Sequence, residues 1–439
     1  MTDDPDRYRR SKELKRRAER VIPVGTQTFT KSAGYRVGDD APFFLQRGSG
    51  SHVFDVDGNE YVDFIMGLGP VTVGYADERV NRIVRDQLED GVLLSQPHPR
   101  EVDLSERICE LVPAAEMVRF GKNGSDATSA AVRLARAYTG RDRIAKCGYH
   151  GWQDWSIADT DNDSGIPDSV QPYTQSWKYN DLEDLKTLFD EYDDIAAVIM
   201  EPMETEGPDP DFLAGVKEIA HDNGALLIFD EVITGFRFSL GGAQEHFGVT
   251  PDLAAFGKGI ANGFPLSVLV GRADVMRELK DVFFSFTYGG ELASLAAAEA
   301  TLDVLENENV IDHMWDLGET LQTRTETLVE RHALADHVEM KGLEPWPVLD
   351  FEGGANDPDD YDLALKSLFQ REVVNRGVLF NGNHFFCDAH TSDDIERTLD
   401  VYDAAFETLS DAIRDDEVYE RLDGEMISPA FRRTRHDGS

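Results

Sequence analysis

Residues 224–263 read GALLIFDEVITGFRFSLGGAQEHFGVTPDLAAFGKGIANG, and this stretch decides the fold. It opens with an apolar run, residues 225–229, that ends at Asp230. A second apolar run, residues 253–256, leads to Lys258, which lies between two glycines and 28 residues after Asp230 (258 − 230). Short runs without polar positions are typical of buried strands in a parallel sheet. Ligands bind beyond the carboxyl ends of such strands, so we expect the acid and the amine at one ligand site.

Pyridoxal-phosphate chemistry requires this pair of side chains. The lysine amine bonds covalently to the cofactor aldehyde, and the aspartate keeps the ring nitrogen protonated so that the ring accepts electrons. Either residue alone is commonplace, because a strand-end acid is often a helix cap and Gly-Lys-Gly is often an ordinary loop. Their order, with each residue following a buried strand, favours Asp230 and Lys258 as a cofactor site.

The charge of the chain limits its partners. The chain has 439 residues, of which 41% are hydrophobic, and its formal net charge is −41. Such a field repels nucleic acids and anionic membranes, so we expect neither as a partner. A carboxylate-rich surface keeps protein soluble in concentrated salt, which leads to the hypothesis that the chain is halophilic.

The cysteines indicate the compartment. Cys109, Cys147 and Cys387 are scattered along the chain, a pattern that favours a reducing cytoplasm over a disulfide framework or a metal site. The N-terminus has no apolar run typical of a signal peptide, and we find no stretch apolar enough to cross a bilayer.

Strands and helices alternate through the middle of the chain, which predicts an α/β fold with a mostly parallel sheet covered on both faces. We divide the chain into an N-terminal segment with a helix and a hairpin (1–65), a large cofactor-binding domain (66–310) and a small C-terminal α+β domain (311–439). Finer expectations are a polar loop at 159–180, short strands at 378–380 and 384–386, and a frayed end at 431–439.

Other residues extend the predicted site. Gly124 and Ser125 open a helix, where backbone N–H groups and the helix dipole attract phosphate, although an ordinary cap is the simpler alternative. Tyr149 follows a predicted strand and is a candidate to stack on a planar ring, or else to pack in the core. Val232 is a candidate for the opposite ring face, and Thr287 begins a second glycine-containing turn that suits phosphate.

Together these motifs resemble the class III pyridoxal-phosphate aminotransferases, specifically the branch similar to glutamate-1-semialdehyde aminomutase. The resemblance covers about residues 22–399. The matching segments are Gly124-Ser125-Asp126-Ala127, Tyr149-His150-Gly151, Glu201-Pro202, Asp230-Glu231-Val232 with Thr234-Gly235-Phe236-Arg237, Gly257-Lys258-Gly259, and Thr287.

The resemblance implies a fold type I homodimer with active sites at the subunit interface. Each chain would have a large domain with a mostly parallel seven-stranded sheet and a smaller α+β domain. It further implies site roles for the following residues: Lys258 as the Schiff-base lysine, Asp230 on the ring nitrogen, Tyr149 on the ring, Gly124 and Ser125 on the phosphate, and Thr287 on the neighbouring subunit's phosphate. Glu201 and Arg237 are candidates to orient the substrate or the cofactor, or else structural ion-pair partners.

Two departures from the aminomutase pattern bear on the substrate. Lys31 stands where the aminomutases hold the substrate carboxylate with an arginine, and lysine cannot grip a carboxylate bidentately. Residues 380–390 read FNGNHFFCDAH and lack the arginine with which many class III enzymes bind an α-carboxylate. The sequence therefore predicts an aminotransferase with an amino donor and a keto or aldehyde acceptor. An intramolecular aminomutase is the alternative, and a non-catalytic binding protein is a remote one.

Overall fold

The computed structural model describes residues 7–32, 34, 41–354, 357–422 and 425–428. The predicted frayed end, residues 431–439, lies outside the described residues. The chain divides into two compact units: unit 1 comprises residues 1–68, 74–77 and 312–430, and unit 2 comprises residues 69–73, 78–311 and 431–439.

The strands are β1 (Leu45–Ser49), β2 (His52–Asp55), β3 (Glu60–Asp63), β4 (Met117–Gly121), β5 (Arg143–Cys147), β6 (Thr174–Ser176), β7 (Ile195–Met200), β8 (Leu226–Glu231), β9 (Leu253–Phe256), β10 (Ser267–Gly271), β11 (Val338–Lys341), β12 (Val348–Phe351) and β13 (Val378–Leu379). The α-helices are α1 (Arg9–Ala18), α2 (Glu78–Asp90), α3 (Pro99–Leu111), α4 (Gly124–Thr139), α5 (Asp154–Ile157), α6 (Leu182–Glu191), α7 (Phe212–Asp222), α8 (Ala243–His246), α9 (Ala273–Met276), α10 (Leu292–Asn307), α11 (Val310–Arg331), α12 (Tyr361–Asn375), α13 (Ser392–Arg414) and α14 (Val418–Leu422).

Unit 2 is built on a seven-stranded sheet with the order β4-β10-β9-β8-β7-β5-β6. Strands β6, β5, β7, β8 and β9 run parallel, and β10 is antiparallel to both β9 and β4. Every residue of β7, β8 and β9 is buried, as the apolar runs in the sequence require. The predicted α/β fold with a mostly parallel sheet is confirmed.

Helix α4 packs closely on this sheet because its buried face is built from small residues. Ala127, Ala130, Ala131 and Ala135 are almost fully buried and surround Leu134 in one hydrophobic cluster with the strands. Alanine loses no side-chain entropy in a helix and lets the backbone approach its neighbour. This packing places the N-terminus of α4 at the edge of the sheet where β8 and β9 end, beside Val232 and Gly257.

Unit 1 joins the two ends of the chain. Its four-stranded sheet has the order β1-β2-β3-β13, so the N-terminal hairpin pairs in parallel with a strand from the C-terminal region. The hairpin turns at Asp57-Gly58, where Gly58 has a φ of 96°. Asp57 also accepts hydrogen bonds from the backbone N–H groups of Arg10 and Ser11, at 2.8 and 2.9 Å. The turn thereby caps α1, which has no capping side chain of its own.

Two local predictions were wrong. The predicted loop at 159–180 contains β6, which pairs with β5 at the edge of the large sheet. The predicted strand at 384–386 is irregular: His384 bonds through Nε2 to the Tyr402 hydroxyl at 2.6 Å, and the N–H of Phe385 donates to the carbonyl of Phe64. These tertiary contacts replace a strand ladder. Among the described residues, no helix combines the length and apolarity needed to cross a membrane.

Candidate active site

Glu201, Asp230 and Lys258 follow or end three neighbouring strands. Glu201 directly follows β7, Asp230 is the penultimate residue of β8, and Lys258 comes two residues after β9. Because β7, β8 and β9 are adjacent and parallel, their carboxyl ends meet at one edge of the sheet. The predicted acid and amine are thus brought together in unit 2.

Asp230 is buried, and both of its carboxyl oxygens take part in hydrogen bonds. Oδ2 lies 2.8 Å from Nδ1 of His150, and Oδ1 accepts the N–H of Val232 at 3.1 Å. The other ring nitrogen of His150, Nε2, lies 2.8 Å from the carbonyl oxygen of Cys147. A carbonyl only accepts, so Nε2 must carry a proton. The bond to Asp230 therefore needs a second proton, either on Nδ1 or on the carboxyl.

Lys258 begins a 3-10 turn, Lys258–Ala261, with a φ of 38°. A left-handed conformation is uncommon for a residue with a side chain, and strain of this kind concentrates at functional sites. Burial lowers the pKa of the amine, and the positive charge of Arg237 lowers it further, against the opposing influence of Glu201 and Asp230. The amine makes no hydrogen bond to any residue that the structure describes, so it is available for chemistry.

Glu201 carries the opposite perturbation. Burial raises the pKa of its carboxyl well above the usual range, and the nearby charges of Asp230 and Glu204 raise it further. A Cβ atom at Gly148 would lie 3.3 Å from Oε1 of Glu201 and 3.1 Å from Oε1 of Glu204. Two carboxyl groups that close to one glycine favour retention of a proton on Glu201.

The start of α4 meets the strand ends through Val232. A Cβ atom at Gly124 would lie 2.8 Å from both Cγ1 and Cγ2 of Val232, so only glycine fits there. Gly257 also lies close to both residues: a Cβ atom built on it would be 3.4 Å from Cγ1 of Val232 and 3.7 Å from the Cα of Gly124. Ser125 packs tightly on Gly151: a Cβ atom built on Gly151 would lie 2.4 Å from the Cβ of Ser125. The predicted phosphate motif and Val232 therefore lie together beside Lys258.

Tyr149 and Thr287 are the most exposed of the predicted residues. Tyr149 is 50% exposed; burial of the remainder and the charge of Asp230 raise the pKa of its phenol. Thr287 lies in an exposed turn before α10. The structure therefore groups the other predicted residues with Tyr149 nearby, and leaves Thr287 on the surface of unit 2.

Sequence reasoning missed two residues at this site. His150 lies within the Tyr149-His150-Gly151 motif, but the sequence did not predict its hydrogen bond to Asp230. Glu204 was not considered, although its carboxylate also accepts a hydrogen bond from the Cys147 thiol over 3.7 Å. The structure shows that His150 is buried against Asp230, and the sequence around either residue carries no signal for that contact.

Comparison with known proteins agrees with this geometry. A model of the family described as aminotransferase class-III matches residues 35–379. A 3-aminobutyryl-CoA aminotransferase of Cloacimonas acidaminovorans is 35% identical over 404 residues, which cover 89% of this chain and 95% of that protein. A glutamate-1-semialdehyde 2,1-aminomutase of Haloquadratum walsbyi is 35% identical over 456 residues, which cover 92% and 100% respectively.

Among solved structures, the FumI protein of Sphingopyxis sp. MTA144, in its PLP internal aldimine form, has a TM-score of 0.84 and 30% identity. The match covers 93% of this chain and 97% of that one. The family model spans well over half of the sequence, and the relatives align along nearly their whole length. This chain belongs to the class-III aminotransferase family of enzymes.

Proposed function

We propose that this enzyme uses pyridoxal 5'-phosphate, held covalently by Lys258, to move an amino group between an amino donor and a keto or aldehyde acceptor. The observation that carries the proposal is the arrangement of Asp230 and Lys258 at the carboxyl ends of two adjacent parallel strands, with a buried amine whose pKa is lowered. A free amine with this property is suited to covalent capture of an aldehyde.

The surrounding residues fit the cofactor. Asp230, fixed by His150, would hold the ring nitrogen. The N–H groups that open α4 at Gly124 and Ser125 would hold the phosphate, because a helix N-terminus attracts anions. Val232 would contact one face of the ring and Tyr149 the other. The close contact between Val232 and Gly124 supports this assignment, since it places the ring-contacting side chain beside the phosphate-binding turn.

Side chains of the protein would transfer the proton at the substrate carbon. When bound, pyridoxal phosphate supplies an electron sink for negative charge at the substrate carbon. Lys258 would remove and return a proton at that carbon, because a lowered pKa leaves more of the amine neutral and able to act as a base. Glu201, with its raised pKa, would be a hydrogen-bond donor toward the cofactor. Arg237 is buried and donates to the carbonyl of Gly69 at 3.0 Å, which favours a structural role.

An aminomutase that shifts the amino group within one substrate is the second candidate. It would use the same residues, and the two curated relatives, one of each activity, are equally identical to this chain at 35%. Lys31 is the observation that favours the aminotransferase, because the resemblance matches it to a carboxylate-binding arginine of the aminomutases and lysine cannot bind a carboxylate bidentately. A non-catalytic binding protein is the remote alternative, and the available Lys258 amine argues against it.

We further propose that the protein is a homodimer in which Thr287 reaches the phosphate of the neighbouring subunit. The position of Thr287 in an exposed turn supports this, as does the exposure of large apolar side chains in unit 2. Those side chains include Leu93, Leu94, Phe286 and Tyr288. Three free cysteines support a reducing, cytoplasmic compartment.

The half-reaction tests the proposal. The holoenzyme would be mixed with glutamate or alanine and no acceptor. An aminotransferase converts its cofactor to the pyridoxamine form and releases the matching keto acid in stoichiometric amount. If no common donor reacts while glutamate-1-semialdehyde turns over, the aminomutase assignment holds instead. If neither occurs and no cofactor binds, the chain is not an enzyme of this type.

A further inference from the structure

Unit 1 contains a small cavity beside α12, the end of β13 and the turn Phe29–Lys31. The space available to the centre of a water-sized sphere is about 10 Å³, which is close to the minimum for one water molecule. Its wall combines apolar side chains with three polar ones. The residues that line it are Thr30, Ala41, Ile65, Gln370, Val374, Leu379, Phe380 and Asn381.

Two of the polar side chains have buried atoms without a hydrogen-bond partner among the residues that the structure describes: Oε1 of Gln370 and Oγ1 of Thr30. Gln370 is 4% exposed. Its orientation is fixed, because Nε2 donates to the carbonyl of Phe380 at 2.6 Å, which identifies the other amide atom as the acceptor. A buried acceptor and a buried hydroxyl that line one cavity of this size call for a small bridging group.

We infer that one ordered water molecule occupies this cavity and bridges Gln370 Oε1 and Thr30 Oγ1. The water donates to the amide oxygen and bonds to the hydroxyl, and Asn381 supplies a third polar neighbour. Two to four polar partners are what a buried water requires. Nothing larger suits the volume, and the apolar remainder of the wall excludes an ion.

The bridge fixes the turn that presents Lys31. Thr30 is the middle residue of that turn, whose ends are closed by the N–H of Lys31 donating to Thr28 and the N–H of Ser32 donating to Phe29, both at 2.9 Å. Phe29 is 61% exposed and Lys31 is exposed, so Thr30 is the side chain that anchors the turn inward. The water therefore acts through Thr30 to position Lys31, and Thr30 and Gln370 are positioning residues.

Limited proteolysis of the full chain measures this anchoring directly, because trypsin cleaves after Lys31 only when the turn opens. Thr30→Val removes the hydroxyl and keeps the shape, and Thr30→Ser keeps the hydroxyl. We expect cleavage after Lys31 to be about tenfold faster in T30V, as a lost buried hydrogen bond implies, and near the wild-type rate in T30S. Gln370→Met should also accelerate cleavage, and adding T30V to Q370M should add little.

A crystal structure of the wild-type protein gives a second readout that needs no variant. The inference requires density for a water within hydrogen-bond distance of both Gln370 Oε1 and Thr30 Oγ1. It is overturned if that density is absent, if T30V is cleaved at the wild-type rate, or if T30S is cleaved as fast as T30V. Neither readout depends on cofactor or substrate, so failure here leaves the proposed aminotransferase function untouched.

Discussion

Replacing His150 tests whether the acid at the end of β8 depends on its histidine. His150→Phe keeps a planar ring, which stacks on Trp155 with centroids 6.3 Å apart, but removes the hydrogen bonds to Asp230 and to the Cys147 carbonyl. A hydrogen bond to a charged group contributes about 1.5–3 kcal/mol. Without this hydrogen bond the buried Asp230 carboxyl is no longer fixed in orientation, and its hold on a protonated ring should weaken.

If the free energy of this hydrogen bond is lost wholly from the cofactor-bound state, the dissociation constant for pyridoxal phosphate should rise about 10- to 150-fold, since each 1.4 kcal/mol changes an equilibrium constant tenfold. Equilibrium titration of the apoprotein with cofactor measures this. His221→Phe is the matched control: His221 also bonds to an aspartate at 2.8 Å, Asp252, but outside the site. Unchanged or tighter cofactor binding by H150F would refute the argument that His150 positions Asp230 for the cofactor.

Three further predictions concern packing, pH and salt. Gly124→Ala should weaken cofactor binding about 5- to 150-fold, as overpacking by about 1–3 kcal/mol implies. Adding Val232→Ala should recover part of the lost affinity. If G124A binds the cofactor as tightly as the wild type in a titration, the contact between residue 124 and Val232 does not constrain the site. The hydrogen bond to Asp394, with further help from Glu60, raises the pKa of His52. This contribution to stability is therefore complete below about pH 6.5 and is lost as the pH rises through the pKa of His52 in the folded protein. The wild type should lose its advantage in melting temperature over His52→Gln above that range, and a difference that does not change with pH would refute the argument. Melting temperature and activity should rise with KCl if the net charge of −41 reflects adaptation to salt, whereas an optimum in dilute buffer would remove that hypothesis.

The sheet and the central pair could be predicted because their signals are local. Runs without polar residues leave few options other than buried strands, and the residues that follow such strands share one edge of a parallel sheet. Lys258 and Asp230 were predicted from that rule together with the amine and the acid that pyridoxal-phosphate chemistry requires. Gly124 was predicted because it opens a helix, and the N-terminus of a helix attracts phosphate. The contact with Val232, which explains why the residue must be glycine, appears only in the structure.

The errors and omissions come from contacts between distant residues. The bond between His150 and Asp230 joins positions 80 residues apart, and nothing in either local sequence announces it. Strand β6 is short and carries polar residues because it lies at the edge of the sheet, so its sequence is typical of a loop. The segment at 384–386 has the aromatic content of a strand, but tertiary bonds to Tyr402 and Phe64 determine its path.

Reduction of the holoenzyme with borohydride tests the central claim most directly, because it fixes the cofactor permanently on whichever amine holds it. Tryptic peptides of the reduced protein should carry the phosphopyridoxyl group on Lys258 alone, and Lys258→Ala should retain none. Attachment at a different lysine in the wild-type protein, or a protein that takes up no pyridoxal phosphate at all, would contradict the account.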